Sequence, residues 1–469
     1  MTQTTAPFRT ARQSLYERYR DRLEVNSALS RALVSYQANR KQPFYRWFKY
    51  KEGFSAALVD YVLEFLGLET GRLLDPFAGT GAAIMRGREK GFSAVGIELM
   101  PVGVKAIEAR LTADNVDVEQ FVEQCDLFDG DAWKVPPDER FTFSHLRITE
   151  GAFSPQTEDQ LNSFRTYLAT TDIDPNVRAL LELGCLSVLE SISYTRKDGQ
   201  YLRWDHRAAR CLPGKGFAKG PIPMFDEAMR RQLKMMRQDL TTPDLFSTPR
   251  NSAGDLQISA GSCLEILPSL PSADVDVVVT SPPYCNRYDY TRTYALELAY
   301  LGINAEQLKK LRQSLLSCTV ENRSKVEELR WQYAKRSSSQ LFEEALGAFN
   351  SQEALQELLA RLDELGQRKD LNNNNVPRMV RNYFLESAVV IFELGRIVKP
   401  GGHVVMVNDN VQYGGEEVPV DLILSDIAAA AGFQTERIWV LSRGKGNSSQ
   451  QMGKHGRNEL RKCVFVWRR

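Results

Sequence analysis

The feature that most constrains this chain is a short apolar strand, Arg72 to Asp75, that runs straight into Pro76-Phe77-Ala78-Gly79-Thr80-Gly81. A helical pattern follows from Ala82 to Lys90 and is stopped by Gly91. A second strand pattern, Ser93 to Ile97, ends in Glu98, and Pro101 opens another helix. Strand, glycine turn, helix and strand make a βαβ unit, and such units build doubly wound, mostly parallel sheets. The chain is therefore expected to be α/β. At roughly 100 to 200 residues per domain, its 469 residues suggest a few structural units or one large core with insertions.

The periodicity places the pieces. Residues 10 to 40 read as an amphipathic helix, through Leu15, Tyr19, Leu23, Leu29, Leu33 and Tyr36. An aromatic cluster around Phe44 to Tyr50 precedes Lys51-Glu52-Gly53-Phe54-Ser55, where Ser55 suits the N-cap of a helix to Leu66 closed by Gly67. Strand patterns resume at Leu256 to Ser259 and at Val275 to Thr280, the latter reading as buried on both faces. A charged, Leu-rich helical stretch follows from about 290 to 368, and then the polar hinge Asn372 to Asn375. The tail returns to sheet: a helix from Tyr383 to Val398, a turn at Lys399 to Gly402, a strand His403 to Val407, a helix near 422 to 431, and strands at 435 to 441 and 462 to 467. The expected division is an N-terminal helix with the first part of the sheet core (1–126), an inserted module (127–254), a second core part (255–299), a helical insertion (300–375) and a C-terminal core part (376–469).

Two motifs carry chemistry. The glycine turn lacks the third glycine of dinucleotide binders and the lysine of phosphate loops, so phosphate is not the evident ligand. Glu98, seventeen residues past Gly81, stands where a carboxylate accepts both hydroxyl hydrogens of a ribose. A nucleoside without phosphates fits that pair. Thr280-Ser281-Pro282-Pro283-Tyr284 leaves the C-terminal end of a buried strand, the edge at which open parallel sheets place active sites. Its prolines remove two amide hydrogens and stiffen the turn, leaving carbonyl oxygens, the Ser281 hydroxyl and the Tyr284 ring. That set suits an exocyclic amine on a flat heterocycle.

Composition narrows the partners. Seven cysteines lie far apart and away from the four histidines, so neither a metal site nor a disulfide scaffold is expected. No apolar stretch is long enough to span a membrane, and a cytoplasmic location is expected. The net charge is only +1, but residues 196 to 220 hold Arg196, Lys197, Arg203, Arg207, Arg210, Lys215 and Lys219 against two aspartates, with Tyr201, Trp204 and Phe217 interleaved. Cations with aromatics between them suit a nucleic-acid surface. A second basic stretch, 443 to 469, is rich in Gly, Asn and Ser and suits a mobile loop over phosphate.

On Asp75 to Gly81, Glu98 and Ser281 to Tyr284 the chain resembles the S-adenosylmethionine-dependent DNA amino-methyltransferases. Glu52 to Ser55 is placed like the segment that packs on the cofactor's methionine end in that family. The resemblance implies a class I methyltransferase fold of Rossmann-like type, with S-adenosylmethionine held by Phe54, Ser55, Asp75, Pro76, Phe77, Gly79, Gly81 and Glu98. It implies that Ser281, Pro282, Pro283 and Tyr284 form the catalytic loop. Serine at the head of the tetrapeptide goes with cytosine N4 in this family, whereas aspartate or asparagine goes with adenine N6. Ser262 stands where an acid of that family often meets the cofactor's adenine amine, a departure from the pattern, and it is the expected substitute for that acid in cofactor binding. The implied partner is double-stranded DNA. The charge pattern, not the resemblance, makes Arg196, Lys197, Arg203, Arg207 and Arg210 its expected contacts, and the inserts 127–254, expected to recognise the target, and 300–375 lie outside the resemblance. The setting is restriction-modification or phage defence, with room for a nuclease or defence-system partner and none for a membrane. Adenine N6 is the nearest alternative; RNA guanine N2 and a non-catalytic DNA-binding subunit are further ones.

Overall fold

The computed structural model describes residues 10–198, 201–211, 214, 216–242, 254–442 and 460–469. Among the described residues eight strands form one sheet: β1 Leu23–Asn26, β2 Arg72–Asp75, β3 Ser93–Glu98, β4 Leu256–Ala260, β5 Val275–Thr280, β6 Val398–Asp409, β7 Gln434–Leu441 and β8 Lys462–Arg468. Their order is β1-β7-β8-β6-β5-β2-β3-β4. Only β8 runs antiparallel to its neighbours, β7 and β6. The sheet grows outward from the β2–β5 pair in both directions, so the order reverses between those strands. That reversal opens a crevice at their C-terminal ends. This is the class I methyltransferase fold, α/β and mostly parallel.

Both faces of the sheet are covered, which is why β5 is a run of valines. Val277 and Val279 pack with Val405, Val407 and the helices Ala56–Leu66 and Ala82–Glu89 on one side. Val278, Val404 and Met406 face the other side, under the helix Val376–Ile397. A third core joins the helices Val118–Asp129, Pro155–Thr170, Pro175–Ile192 and Phe225–Thr241 with Trp47, Phe48, Tyr50 and the segment Tyr288–Tyr300. The stretch from 127 to 253 adds no strand to the main sheet among the described residues.

Several sequence readings change. The helix expected over 10 to 40 spans only Ala11–Tyr19 and is followed by a 3-10 turn and β1. Here tertiary pairing outweighs the local pattern: Leu23 to Asn26 align in parallel with Ile438 to Leu441 and cover an otherwise open sheet edge. Asn26, Ser30 and Ser35 then accept nearby amide hydrogens, which competes with helix. The strand expected at 403 to 407 begins at Val398, with Lys399 to Gly402 bulging between Val275↔Val398 and Val277↔His403. The helix expected from Tyr383 begins at Val376. The helices at 118–129, 155–170 and 225–241 lie where no element had been assigned.

At the crevice, the two central strands are joined by a side chain on each. Thr280 Oγ1 donates to Asp75 Oδ1 at 2.6 Å, and the Phe77 amide donates to the same oxygen at 3.0 Å. Both side chains are buried. Thr280→Val keeps the shape and removes one donor from a buried carboxyl, so urea unfolding should show a loss of about 1–3 kcal/mol with an unchanged slope.

Candidate active site

A cleft opens at the C-terminal ends of β2, β3, β4 and β5. The glycine turn forms its floor. Gly79 and Gly81 have φ of +57° and +82°, in the left-handed region where a side chain is strained. A Cβ on Gly103 would overlap the Gly79 carbonyl and lie 2.8 Å from Glu98 Cγ, so the helix Pro101–Thr112 can sit this close only with glycine there.

Glu98 ends β3 and turns into the cleft. Its Oε2 accepts from the Gly79 amide and its Oε1 from the Met100 amide, each at 2.6 Å. A carboxylate has lone pairs beyond those two, so it can still receive hydroxyl hydrogens. Burial dominates its ionisation and pushes the carboxyl up to about 8, against the pull of the two amides. Asp75 is likewise pushed up to about 7 by burial.

The lining agrees with many of the sequence readings and reassigns others. Phe54, Pro76, Phe77, Gly79, Glu98, Ser262, Ser281 and Pro283 all face the cleft. Ser55, Asp75 and Gly81 do not. Ser55 caps the helix Ala56–Leu66, accepting from Leu58 and donating to the Leu33 carbonyl. Asp75 lies beneath the turn, and Gly81 is the N-cap of the next helix. These three hold the site without lining it. Pro282 points to the other side, into an apolar pocket with Phe77, Ile391 and Met406. Tyr284 is half-buried, and its hydroxyl accepts from Ser281 Oγ at 3.1 Å.

Other lining residues had no site signal in the sequence. Tyr36 and Tyr50 enter from the N-terminal segment, Tyr290 from beyond the tetrapeptide, and Ser314, Leu315 and Leu316 from the helical stretch after 300. Tyr50 stacks on Tyr294 with centroids 4.9 Å apart and stands over Gly79. Ser262 Oγ donates to the Ser314 carbonyl at 3.0 Å, which ties that stretch to the end of β4. Among the described residues no lysine or arginine lines the cleft, and its charged groups there are Glu52 and Glu98. Such a site has no countercharge for phosphates but accommodates a cationic, aromatic ligand.

The basic region resolves into distinct roles. Thr195–Lys197 and Leu202–Trp204 form a small antiparallel hairpin, whose alternation sends Arg196 and Arg203 outward and Lys197 inward. Both outward guanidinium groups lie 5.0 Å from the Phe217 ring. Lys197 is buried and pairs with Glu297 at 2.5 Å, which removes it from the DNA-contacting set. Arg207 is committed to Asp205, at 2.7 Å and 3.0 Å, and to the Gly220 carbonyl. Arg210 stacks on Trp204 and donates to the carbonyls of Arg147 and Glu150. Lys215 and residues 443 to 459 lie outside the described residues. Among the described residues there is no metal-holding cluster, and no helix is long and apolar enough to cross a membrane.

The raised carboxyl of Glu98 makes stability depend on pH. The folded state favours the neutral form, so this contribution is full below the ordinary value near 4.5 and is lost as pH rises through about 8. Melting of the protein without added ligand should therefore fall across that window. Glu98→Gln should flatten the fall by up to about 1.4 kcal/mol per pH unit, the work of one proton.

No protein-family model matches the chain, and no solved structure matches it. Curated proteins do. The chain is 45% identical over 462 residues to the Type II methyltransferase M.AvaI of a Nostoc strain, covering 97% of this chain and 93% of that protein. The same figures hold for M.AvaI of Anabaena variabilis. It is 38% identical over 471 residues to the Type II methyltransferase M.BsoBI of Geobacillus stearothermophilus, covering 97% of this chain and 91% of that protein. A likeness this strong over nearly the whole length, together with the sheet and its cleft, leads to one assignment: the chain belongs to the Type II DNA methyltransferase family.

Proposed function

We propose that the protein transfers a methyl group from S-adenosylmethionine to the exocyclic N4 amine of cytosine in double-stranded DNA. The observation that carries this reading is a single cleft joining Glu98 and the glycine turn to Ser281 and Pro283. S-adenosylmethionine fits the donor set: a nucleoside without phosphates, cationic at sulfur and nitrogen, in a cleft with Glu98 and aromatic rings and, among the described residues, no lysine or arginine. When bound, it supplies an electrophilic methyl group. Glu98 would receive the ribose hydroxyls, and Tyr50 and Phe77 would bound the ligand.

A base inside a duplex hides its amine, so the target must swing out to reach Ser281. The Tyr284 ring is then available for stacking, and the Ser281 oxygen and the Pro282 carbonyl can accept the amine hydrogens. These contacts draw the nitrogen lone pair out of conjugation with the ring. No covalent base adduct is needed. Cys285 is buried, and burial pushes its thiol up, which suits packing rather than attack.

On this reading the stretch 127–254 recognises the target, 1–126, 255–299 and 376–469 make up the catalytic core, and 300–375 is a scaffold that also closes the cleft. A restriction-modification setting goes with a cytoplasmic location beside the DNA and with a nuclease that cuts unmodified sites.

Digesting DNA methylated by the protein and identifying the modified nucleoside by mass tests the base. N4-methylcytosine is expected; N6-methyladenine alone would overturn the choice of base and keep the reaction class. In single-turnover assays Tyr284→Ala should lose about 1–3 kcal/mol of stacking. Ser281→Ala should slow transfer while leaving cofactor affinity nearly unchanged.

For DNA binding, Arg196 and Arg203 are exposed, form no ion pair among the described residues and, unlike Arg210, are not tied to backbone carbonyls there. Replacing both by alanine should reduce the salt dependence of binding by about two units of slope if each meets a phosphate. Arg207→Ala should act mainly on thermal stability. An unchanged slope in the double variant would assign the hairpin to a solvated face.

A further inference from the structure

Methylation of an amine leaves the nitrogen with one proton too many, and some group must take it. The tetrapeptide offers none that can keep it. Ser281 Oγ is hydrogen-bonded to the Tyr284 hydroxyl at 3.1 Å and to the Val407 carbonyl at 3.3 Å. A serine hydroxyl can accept a hydrogen bond but does not hold a second proton near neutral pH, and Pro282 presents only an amide carbonyl.

The nearby carboxyls differ in how far they are committed. Glu98 is engaged by two backbone amides on the ribose side of the cleft. Asp75 lies beneath the turn with Thr280. Asp409 is paired with Lys462. Glu52 remains. It lines the same cleft as Ser281, Pro283 and Tyr290, with the hydroxyl of Tyr288 nearby.

We infer that Glu52 is the proton acceptor for methyl transfer, a catalytic role that rests on the amine-methylation reading above. The amine lone pair forms the new N–C bond while the C–S bond breaks and its electron pair stays on sulfur. The nitrogen, now positively charged, passes one hydrogen as a proton to a Glu52 carboxylate oxygen and regains conjugation with the ring. Glu52 releases the proton to water as product leaves.

The surroundings suit that task. Burial holds the Glu52 carboxyl above the usual glutamate range, Lys51, Tyr288 and Lys462 pull it down, and Asp409 pushes it up. Tyr50, Tyr284, Tyr290 and Tyr294 also face it, and each is raised well above the ordinary tyrosine range by burial, so they stay neutral while Glu52 titrates. A carboxylate moved toward neutrality is a stronger base than an ordinary one. The ionised form is the working form, so the rate of transfer rises with pH through the Glu52 titration.

The test compares the full-length protein with Glu52→Gln, which keeps size and hydrogen bonding but cannot take the proton. Single-turnover transfer from labelled S-adenosylmethionine to unmethylated genomic DNA should slow by about 100-fold or more. Cofactor affinity by calorimetry should stay within about threefold, which also shows that the variant is folded. The ratio of wild-type to variant rate should increase with pH, a trend that Glu98 and Asp75, present in both proteins, cannot produce. Glu52→Asp should recover part of the rate. A Glu52→Gln rate within about threefold of wild type at every pH overturns the assignment. So does a loss of cofactor affinity beyond about tenfold with a normal rate at saturating cofactor, which would make Glu52 a countercharge for the ligand's cationic end. The wild-type product decides the other question separately: a methyl group on a ring carbon would refute amine methylation itself, whereas an amine product with an unaffected Glu52→Gln rate refutes this inference alone.

Discussion

The hydrogen bond from Thr280 to Asp75 ties together the ends of the two strands at which the sheet reverses its order. One strand delivers the glycine turn and the other the Ser-Pro-Pro-Tyr turn, so this contact sets their separation. Both partners are buried, and an unpaired carboxyl there would cost more than the bond itself contributes. The same Asp75 oxygen receives the Phe77 amide and so shapes the first step of the turn. The geometry of the cleft thus follows from two side chains that never reach its surface.

The electrostatics of the cleft follow from what is missing as much as from what is present. Acids without neighbouring cations are expensive to bury in ionised form, and Glu98 accordingly holds its proton to about 8. A cationic ligand would reverse that preference and favour the ionised carboxylate. Transfer of the methyl group removes the charge on sulfur, so on the proposed reading the reactant is matched to the site better than the product is. Release of product and the reset of the acids would then share one cause.

The basic segment shows how far sequence reasoning about charge can go. Arg196, Lys197, Arg203 and Arg207 look equivalent in a charge profile. A two-residue alternation on a short strand sends Lys197 into the interior, where Glu297 and the Tyr294 ring receive it. Asp205, itself wholly buried, claims Arg207. Arg196 and Arg203 stay on the outer face of the hairpin beside the Phe217 ring, and their side chains form no ion pair among the described residues. Charge density pointed to the region, but only pairing separated contact from anchor.

Local chemistry in the sequence determined the βαβ unit, the glycine turn, the acid that ends the next strand and the tetrapeptide at a buried strand end. Each depends on neighbours within a few residues: glycine for positive φ, proline for a stiff turn, a run of valines for a strand covered on both faces. The extended segment at Leu23–Asn26, the placement of Ser55 and Asp75 behind the site, and the entry of Tyr36, Tyr50, Tyr290 and Leu316 into one cleft were decided by tertiary structure. Those residues come from segments hundreds of positions apart, and their meeting depends on which sheet edge is open, which face a helix buries and which carboxyl already has a partner. No local pattern encodes that, because these are properties of the packed chain.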